Sequence, residues 1–297
     1  MISTMLHSSL QREHSECFTV KSIQCCYCGN TWGDTLRGLG PYRMMKCSHC
    51  GFIYLTPRPT EEDLRTYYRH HYLPQDPGSI DKWSRMMRAV FLKAADQIEK
   101  HCTRGRVLDI GCGFGFFLKE MRERGWEVTG LEMSLSGISY ARNTFKLPVL
   151  FTEFEKADLP EGHFDVIAAF YVIEHAYNPL LFLQRVHALL KPKGVVILRY
   201  PHTHLLEYLL TLLGIENNVY DIPFHLSDFS PQTIERFLIK AGFSDCRHFI
   251  GGHTLPEKYL HRVSSSIFGT IAEILFQLSF KTYLLPGVSK SIIARKN

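Results

Sequence analysis

The sequence predicts an α/β protein: a doubly wound, mostly parallel sheet preceded by a small cysteine-bound module. Three observations carry this. From Arg104 onward, short apolar runs alternate with helical patterns of about ten residues, which is the signature of parallel strands joined by helical crossovers. The first apolar run, Val107-Leu108-Asp109-Ile110, ends in the glycine-dense turn Gly111-Cys112-Gly113-Phe114-Gly115. Upstream, two Cys-x-x-Cys pairs stand eighteen residues apart.

Residues 1–20 are polar and mixed, and read as a loose N-terminus. Residues 21–58 hold the cysteine pairs, and residues 59–103 read as a helical linker. Thr60 is an N-cap candidate with Asp63 completing a capping-box variant, and Pro74–Gly78 divides the linker into two helices. Residues 104–255 form the main domain. Its strand candidates are Val107–Ile110, Val128–Leu131, Val149–Phe151, Val166–Phe170 and Val195–Tyr200. Its helices are expected over Phe116–Arg124, Ser136–Asn143, Pro179–Leu190 and Pro231–Ala241, the last with Ser230 as N-cap and Pro231 at N1. Lys191-Pro192-Lys193-Gly194 reads as a breaker before the fifth strand. Residues 256–297 carry a helix and a final strand. Two helices are conspicuously apolar. One is Leu205–Leu213. The other runs over Ile267–Leu278, with Glu273, Gln277 and Lys281 opposite its apolar stripe; packing on the core and contact with a membrane surface are its two readings.

Cys25-x-x-Cys28-Gly29 and Cys47-x-x-Cys50-Gly51 have the spacing of a four-cysteine zinc ribbon. Each pair makes a tight turn that aims two thiolates at one ion, and the following glycine permits a positive φ. With Cys25, Cys28, Cys47 and Cys50 all ligating, the zinc site is closed, hence structural. Cys17, Cys102, Cys112 and Cys246 are scattered and read as small packing residues.

The glycine turn is a nucleotide site, and Gly130-Leu131-Glu132 ends the next strand with a carboxylate placed for a ribose diol. A dinucleotide fingerprint would put a third glycine at 116, for close approach of a pyrophosphate to the helix N-terminus. Phe116 stands there instead, which suits a ligand without phosphate, such as S-adenosylmethionine.

Together with Phe164-Asp165-Val166-Ile167, Val172-Ile173-Glu174-His175 and Leu189-Leu190-Lys191-Pro192-Lys193-Gly194, these segments make residues 104–255 resemble the class I S-adenosylmethionine-dependent methyltransferases, with their Rossmann-like fold. Cys50-Gly51-Phe52-Ile53-Tyr54-Leu55-Thr56-Pro57-Arg58-Pro59 is similar to the linker of the subgroup with an N-terminal zinc ribbon, which includes sugar C-methyltransferases. The resemblance implies that Gly111, Gly113 and Gly115 lie against the cofactor and that Asp109 orients its amino-acid end. It implies further that Glu132 holds the ribose hydroxyls and that Thr152 and Glu153, just past the third strand, flank the adenine. His225, in Pro223-Phe224-His225-Leu226-Ser227-Asp228, is similar to the segment in which sugar C-methyltransferases carry a base, although Phe224 replaces their usual glutamate. His175, in the loop after the fourth strand, is the second candidate, since ligands bind at the carboxyl edge of such a sheet. Both histidines also read as hydrogen-bonded structural residues.

With 45% hydrophobic and 21% charged residues over 297 positions, the chain has the composition of an ordinary globular protein with one large core and a satellite module. A net charge of +5 without a basic run argues against a nucleic-acid partner. No apolar secretory segment opens the chain, and the odd count of nine cysteines fits metal ligands in a reducing, cytoplasmic home. The expected partner is a small molecule: by resemblance a nucleotide-linked sugar or a related glycan or secondary-metabolite precursor. A lipid or quinone acceptor is the alternative that the apolar helices raise, with peripheral membrane contact and no membrane-spanning segment. A non-enzymatic zinc-ribbon adaptor with a vestigial cofactor fold is the third reading.

Overall fold

The computed structural model describes residues 18–252, 259–279, 284–285 and 289–297; Cys17, Lys281 and residues 1–17 lie outside the described residues. The strands are β1 (Val20–Lys21), β2 (Gly33–Leu39), β3 (Tyr42–Cys47), β4 (Ile53–Leu55), β5 (Arg58–Pro59), β6 (Arg106–Ile110), β7 (Glu127–Glu132), β8 (Val149–Phe151), β9 (Phe164–Phe170), β10 (Leu190–Tyr200), β11 (Ser227–Asp228), β12 (Phe243–Phe249) and β13 (Lys290–Lys296). The helices are α1 (Glu61–His70), α2 (Pro77–His101), α3 (Phe116–Glu123), α4 (Leu135–Phe145), α5 (Pro179–Leu189), α6 (His204–Leu212), α7 (Pro231–Lys240) and α8 (Tyr259–Leu278).

The central sheet has seven strands in the order β12-β13-β10-β9-β6-β7-β8. β13 runs antiparallel between β10 and β12, while β10, β9, β6, β7 and β8 pair parallel. Its middle is buried on both faces, and Val166, Ile167, Ala168 and Ala169 of β9 are fully enclosed, which is why that strand reads as an unbroken apolar run. The chain proceeds from β6 outward through β7 to β8, then returns to place β9 on the other side of β6. The carboxyl ends of β6 and β9 therefore flank the point where strand order reverses, the place where ligands bind in such sheets.

Local chemistry explains the helix starts. Thr60 caps α1 through Asp63 N–H, Asp76 caps α2, Ser134 caps α4 and Ser230 caps α7 ahead of Pro231. Two differences from the sequence expectation stand out. Lys191–Gly194 does not break the chain before the fifth strand; β10 runs through it as a bulge, with a register shift between Leu190 and Val195 and Lys193 at φ +66°. Leu190 already pairs with Phe164, and the Lys191 ammonium is drawn to Asp165 at 2.7 Å. β12 carries no apolar run, because only Phe243 and Phe249 at its ends are buried on this sheet edge.

The cysteine module is not a separate body. Its sheet, β2-β3-β4, is completed by β11 from the main domain. Ser227 pairs with Tyr54 and Asp228 with Ile53, and Leu55 N–H donates to the Leu226 carbonyl at 2.9 Å. Phe52 packs on Phe237 and Phe229, and the Arg236 guanidinium donates to the Cys50 carbonyl at 2.9 Å.

Candidate functional site

At the switch point lies a cavity of about 450 Å³, within the size range of small-molecule sites. One wall is the glycine turn. Gly111 and Gly113 adopt φ of +67° and +54°, a region that side chains with a Cβ rarely enter. A Cβ on Gly111 would meet Val172 Cγ2 at 2.8 Å. Asp109, Gly111, Gly113, Glu132, Thr152, Glu153 and His175 all line the cavity; Gly115 and His225 do not. Gly115 instead caps α3 at φ +79°, and a Cβ there would strike Leu147 and Ala141. Its glycine serves the packing of α3 against α4. Phe116 is also off the cavity, between Trp83, Tyr140 and Phe145.

Glu132 is buried and braces the turn. Its Oε2 accepts from Gly113 N–H at 2.7 Å, and its Oε1 accepts from Met133 N–H at 2.8 Å and Ser134 N–H at 2.6 Å. Burial raises its carboxyl pKa, and the three N–H donors oppose that rise. A carboxylate offers about four lone-pair positions. Three are taken, so one on Oε2 is left for a ligand. Asp109 is 2% exposed and its Oδ1 has no hydrogen-bond partner among the described residues. Burial, then the nearby Glu132 charge, pushes its pKa well above the usual carboxylate range. A buried orphan acceptor at a cavity wall is a position for a ligand's donor. At the far end, Thr152 and Glu153 follow β8, and the Glu153 carboxylate lies 2.7 Å from Arg65 Nε, tying α1 across the cavity.

The opposite wall is aromatic and imidazole-rich. Tyr68 and Tyr72 reach in from α1 and its C-terminal end and pack edge-on against His175, with ring centroids 5.5 and 5.8 Å away. His175 Nδ1 lies 3.0 Å from the Phe224 carbonyl and 2.9 Å from the Tyr68 hydroxyl. The carbonyl only accepts, so Nδ1 carries the hydrogen and Nε2 keeps the lone pair. Behind it, His225 packs edge-on at 4.9 Å, and its Nε2 stands 3.7 Å from Asp221 Oδ2. Burial depresses both imidazoles to about 3, helped at His175 by the neighbouring His225. The two histidines are thus neutral. Glu174, completely buried beside them, is pushed up to about 8 by burial, then by the Asp228 and Asp221 charges. Tyr200 is buried without lining the cavity, and neither His202 nor His204 reaches it.

Cys25, Cys28, Cys47 and Cys50 bring their sulfurs within 4.8 Å of one another. Cys25 and Cys50 Sγ are 3.5 Å apart, and Cys28 and Cys47 Sγ 3.6 Å. A tetrahedral ion bound at about 2.3 Å sets sulfurs about 3.8 Å apart, so the donor set fits zinc. Gly29 and Gly51 take φ of +75° and +73°, and each N–H closes its knuckle on the carbonyl of the first cysteine. At Cys47, burial pushes the thiol up but the N–H groups of Cys50 and His49 and the Asn30 amide outweigh it, leaving it near 6.

Sequence reasoning had no role for Tyr68, Tyr72, Glu174 or Asp221. The tyrosines had a local signal, an aromatic pair four residues apart that straddles the end of α1. Glu174 has a sequence signal only as a member of the Val172–His175 motif, and Asp221 has none, because its neighbours come from distant segments. Asp165 sits at the opposite edge of the sheet, where it accepts from Arg106 N–H at 2.8 Å and from Lys191.

A family profile described as a methyltransferase domain matches residues 82–248. The chain is 29% identical over 151 residues to a ubiquinone biosynthesis O-methyltransferase of Histophilus somni, covering 48% of this chain and 63% of that one. It is 32% identical over 130 residues to the protein of the same name from Pseudomonas aeruginosa, covering 42% and 56%. The chain thus spans less than two thirds of the length of these relatives. Among solved structures, phosphoethanolamine N-methyltransferase 2 of Haemonchus contortus with S-adenosyl-L-methionine aligns at a TM-score of 0.54 and 15% identity, covering 82% and 62%. A SAM-dependent methyltransferase from Thermotoga maritima aligns at 0.51 and 17%, covering 74% and 95%. These structural likenesses speak to the fold.

Proposed function

The match over residues 82–248 makes this chain a member of the methyltransferase-domain family, and from that premise we propose that it transfers the methyl group of S-adenosylmethionine to a small acceptor. The observation that carries this reading is the unsatisfied buried polarity of the cavity: the Asp109 Oδ1 orphan beside a Glu132 carboxylate with one acceptor position left. Asp109 takes the ammonium end of the cofactor, Glu132 a ribose hydroxyl, Gly111 and Gly113 the close backbone approach, and Thr152 and Glu153 the adenine end. Gly115 supports this arrangement only through packing. When bound, the cofactor supplies an already activated methyl group on a sulfonium. The chain's own part is then to align an acceptor, exclude water and receive a proton. Tyr68 and Tyr72 enclose the acceptor side, and the neutral His175 presents Nε2 there, held by the Phe224 carbonyl. His225 orients and supports His175 from behind. The four cysteines hold a structural zinc whose place is to fix β11 and the segment before it.

The acceptor is a nucleotide-linked sugar or related precursor on the sequence resemblance. A quinone-like or lipid acceptor is the second reading. It is favoured by the aromatic lining of Tyr68, Tyr72, Trp83, Phe91, Phe170 and Tyr171 and by the quinone-pathway names of the relatives from Histophilus somni and Pseudomonas aeruginosa. The exposed stripe of Leu205, Tyr208, Leu209, Leu212 and Leu213 is a surface through which α6 would meet a membrane; among the described residues no helix is long and apolar enough to cross one. Calorimetry with S-adenosylmethionine tests the first step, and absence of binding at millimolar cofactor overturns it, leaving the adaptor reading. Turnover to S-adenosylhomocysteine with nucleotide sugars against polyprenyl phenols then separates the acceptors, and a chain that stays wholly in the supernatant with vesicles counts against the lipid reading.

A further inference from the structure

The cluster behind the acceptor wall is richer than methyl transfer alone requires. Glu174, His175 and His225 each bring one ligand atom within 4.8 Å of the others. Glu174 is completely buried, yet neither of its carboxylate oxygens has a hydrogen-bond partner on another described residue. Asp221 is 1% exposed, and its Oδ2 is equally without a hydrogen bond, 3.7 Å from His225 Nε2. Two enclosed acidic side chains with three oxygens that no other described residue hydrogen-bonds, set beside two imidazoles, would be costly as they stand. His175 has the arrangement typical of a ligating histidine, its Nδ1–H held by a backbone carbonyl so that Nε2 points its lone pair away from that bond.

We propose that Glu174, His175 and His225 form a second metal site, distinct from the cysteine ribbon, for a divalent transition-metal ion. Two borderline imidazole nitrogens beside one hard carboxylate suit zinc, iron(II), cobalt(II) or manganese(II), and the imidazoles disfavour magnesium and calcium. Bonds of about 2.0–2.2 Å would draw the three donors together and satisfy Glu174. Asp221 stands behind His225 as the group that orients its ring or joins as a fourth ligand. Of the three, His175 lines the cavity, which provides the entry path. With the ion bound, His175 Nε2 would serve as a ligand and the metal would supply Lewis-acid activation of an acceptor oxygen in its place; that role rests on the methyl-transfer reading, whereas metal binding does not.

The test uses the full metal-stripped chain, kept reduced, titrated with cobalt(II) without cofactor or acceptor. Cobalt on the ribbon gives an intense thiolate charge-transfer band, while cobalt on the second site gives only weak visible bands. The expected result is one non-thiolate equivalent per chain. Two histidine N–H resonances, shifted outside the normal proton range, should accompany it. In Glu174→Gln and His225→Asn the affinity of that equivalent should fall at least tenfold while the thiolate band persists, showing that the fold is intact. A chain that takes up cobalt only on thiolate, or that shows a non-thiolate equivalent without shifted histidine resonances, overturns the proposal. So does a non-thiolate equivalent that survives in both variants. Failure of the methyl-transfer reading would leave the titration unchanged.

Discussion

Replacing Glu132 with alanine tests the proposed cofactor site where its geometry is most explicit. The carboxylate accepts three backbone N–H bonds from Gly113, Met133 and Ser134 and has a single acceptor position left. One hydrogen bond to a charged acceptor contributes about 1.5–3 kcal/mol, so the S-adenosylmethionine Kd should rise about 10- to 100-fold. A diol gripped through both hydroxyls would lose roughly the square of that factor. The variant also leaves three buried donors without their acceptor, each costing up to about 1–3 kcal/mol where water cannot enter, so its melting temperature without ligand should fall as well. Titration calorimetry with the cofactor, and with its 2′- and 3′-deoxyribose analogues, measures the first effect; thermal melting measures the second. One deoxy analogue should bind wild type less tightly while the other binds normally. Unchanged cofactor affinity in the variant, or equal losses for both analogues against wild type, would refute the single-position argument.

Two further outcomes follow from the same geometry. Gly111→Ala places a Cβ 2.8 Å from Val172 Cγ2 at a φ of +67°, which should cost about 1–3 kcal/mol of stability; Val172→Ala should recover part of it in melting experiments, and an additive double variant would count against the clash. Burial, then Lys290 and His204, depresses His202 to about 4. Its folded pKa lies below the unfolded value of about 6.5, so the neutral form is favoured in the fold and stability should drop as the pH falls from 6.5 towards 4. Melting curves of His202→Gln should show a flatter acid limb in that window, and an identical limb would rule out this histidine as the cause.

The glycine-turn half of the cavity was legible because it is local. Residues 107–132 spell a strand, turn, helix and strand in one stretch, and period and glycine placement suffice to fold them. Even there, chemistry and packing look alike in sequence: Gly113 lines the cavity while Gly115, two residues on, holds α3 to α4. The Asp165 carboxylate, at the head of β9, looks equally functional but clamps Arg106 and Lys191 at the other edge of the sheet. The aromatic and imidazole half of the cavity was not legible because no window contains it. Tyr68 and Tyr72 come from the linker, Glu174 and His175 from the turn after β9, and Asp221 and His225 from a segment some fifty residues later. Only the tertiary fold shows that the Phe224 carbonyl fixes the tautomer of His175. Nor does a Cys-x-x-Cys spacing say that the ribbon borrows its last strand from the domain it accompanies.

That borrowed strand gives the ribbon a consequence beyond its own stability. The segment from Asp221 to Asp228 carries His225, and it is held from two sides. Leu226 N–H donates to the Glu174 carbonyl at 2.8 Å, while the Leu226 carbonyl and β11 pair with β4 of the ribbon. The glycine turn and Glu132 bond to each other and share no hydrogen bond with the ribbon among the described residues. Cys47→Ser keeps the shape of a side chain that is 2% exposed but removes one of the four thiols of the proposed zinc site. Zinc content should fall, and amides of 221–228 should exchange hydrogen faster, whereas those of 107–132 should keep their protection. Cofactor Kd should stay within about twofold, as expected for sites without shared partners. A misplacement of His225 by about 1 Å can cost up to about 100-fold in turnover, so activity should suffer far more than cofactor binding. If exchange rises equally in both segments, the ribbon supports the whole domain. If neither changes after zinc is lost, β4 holds β11 without the metal. Either result removes the zinc site from the acceptor side.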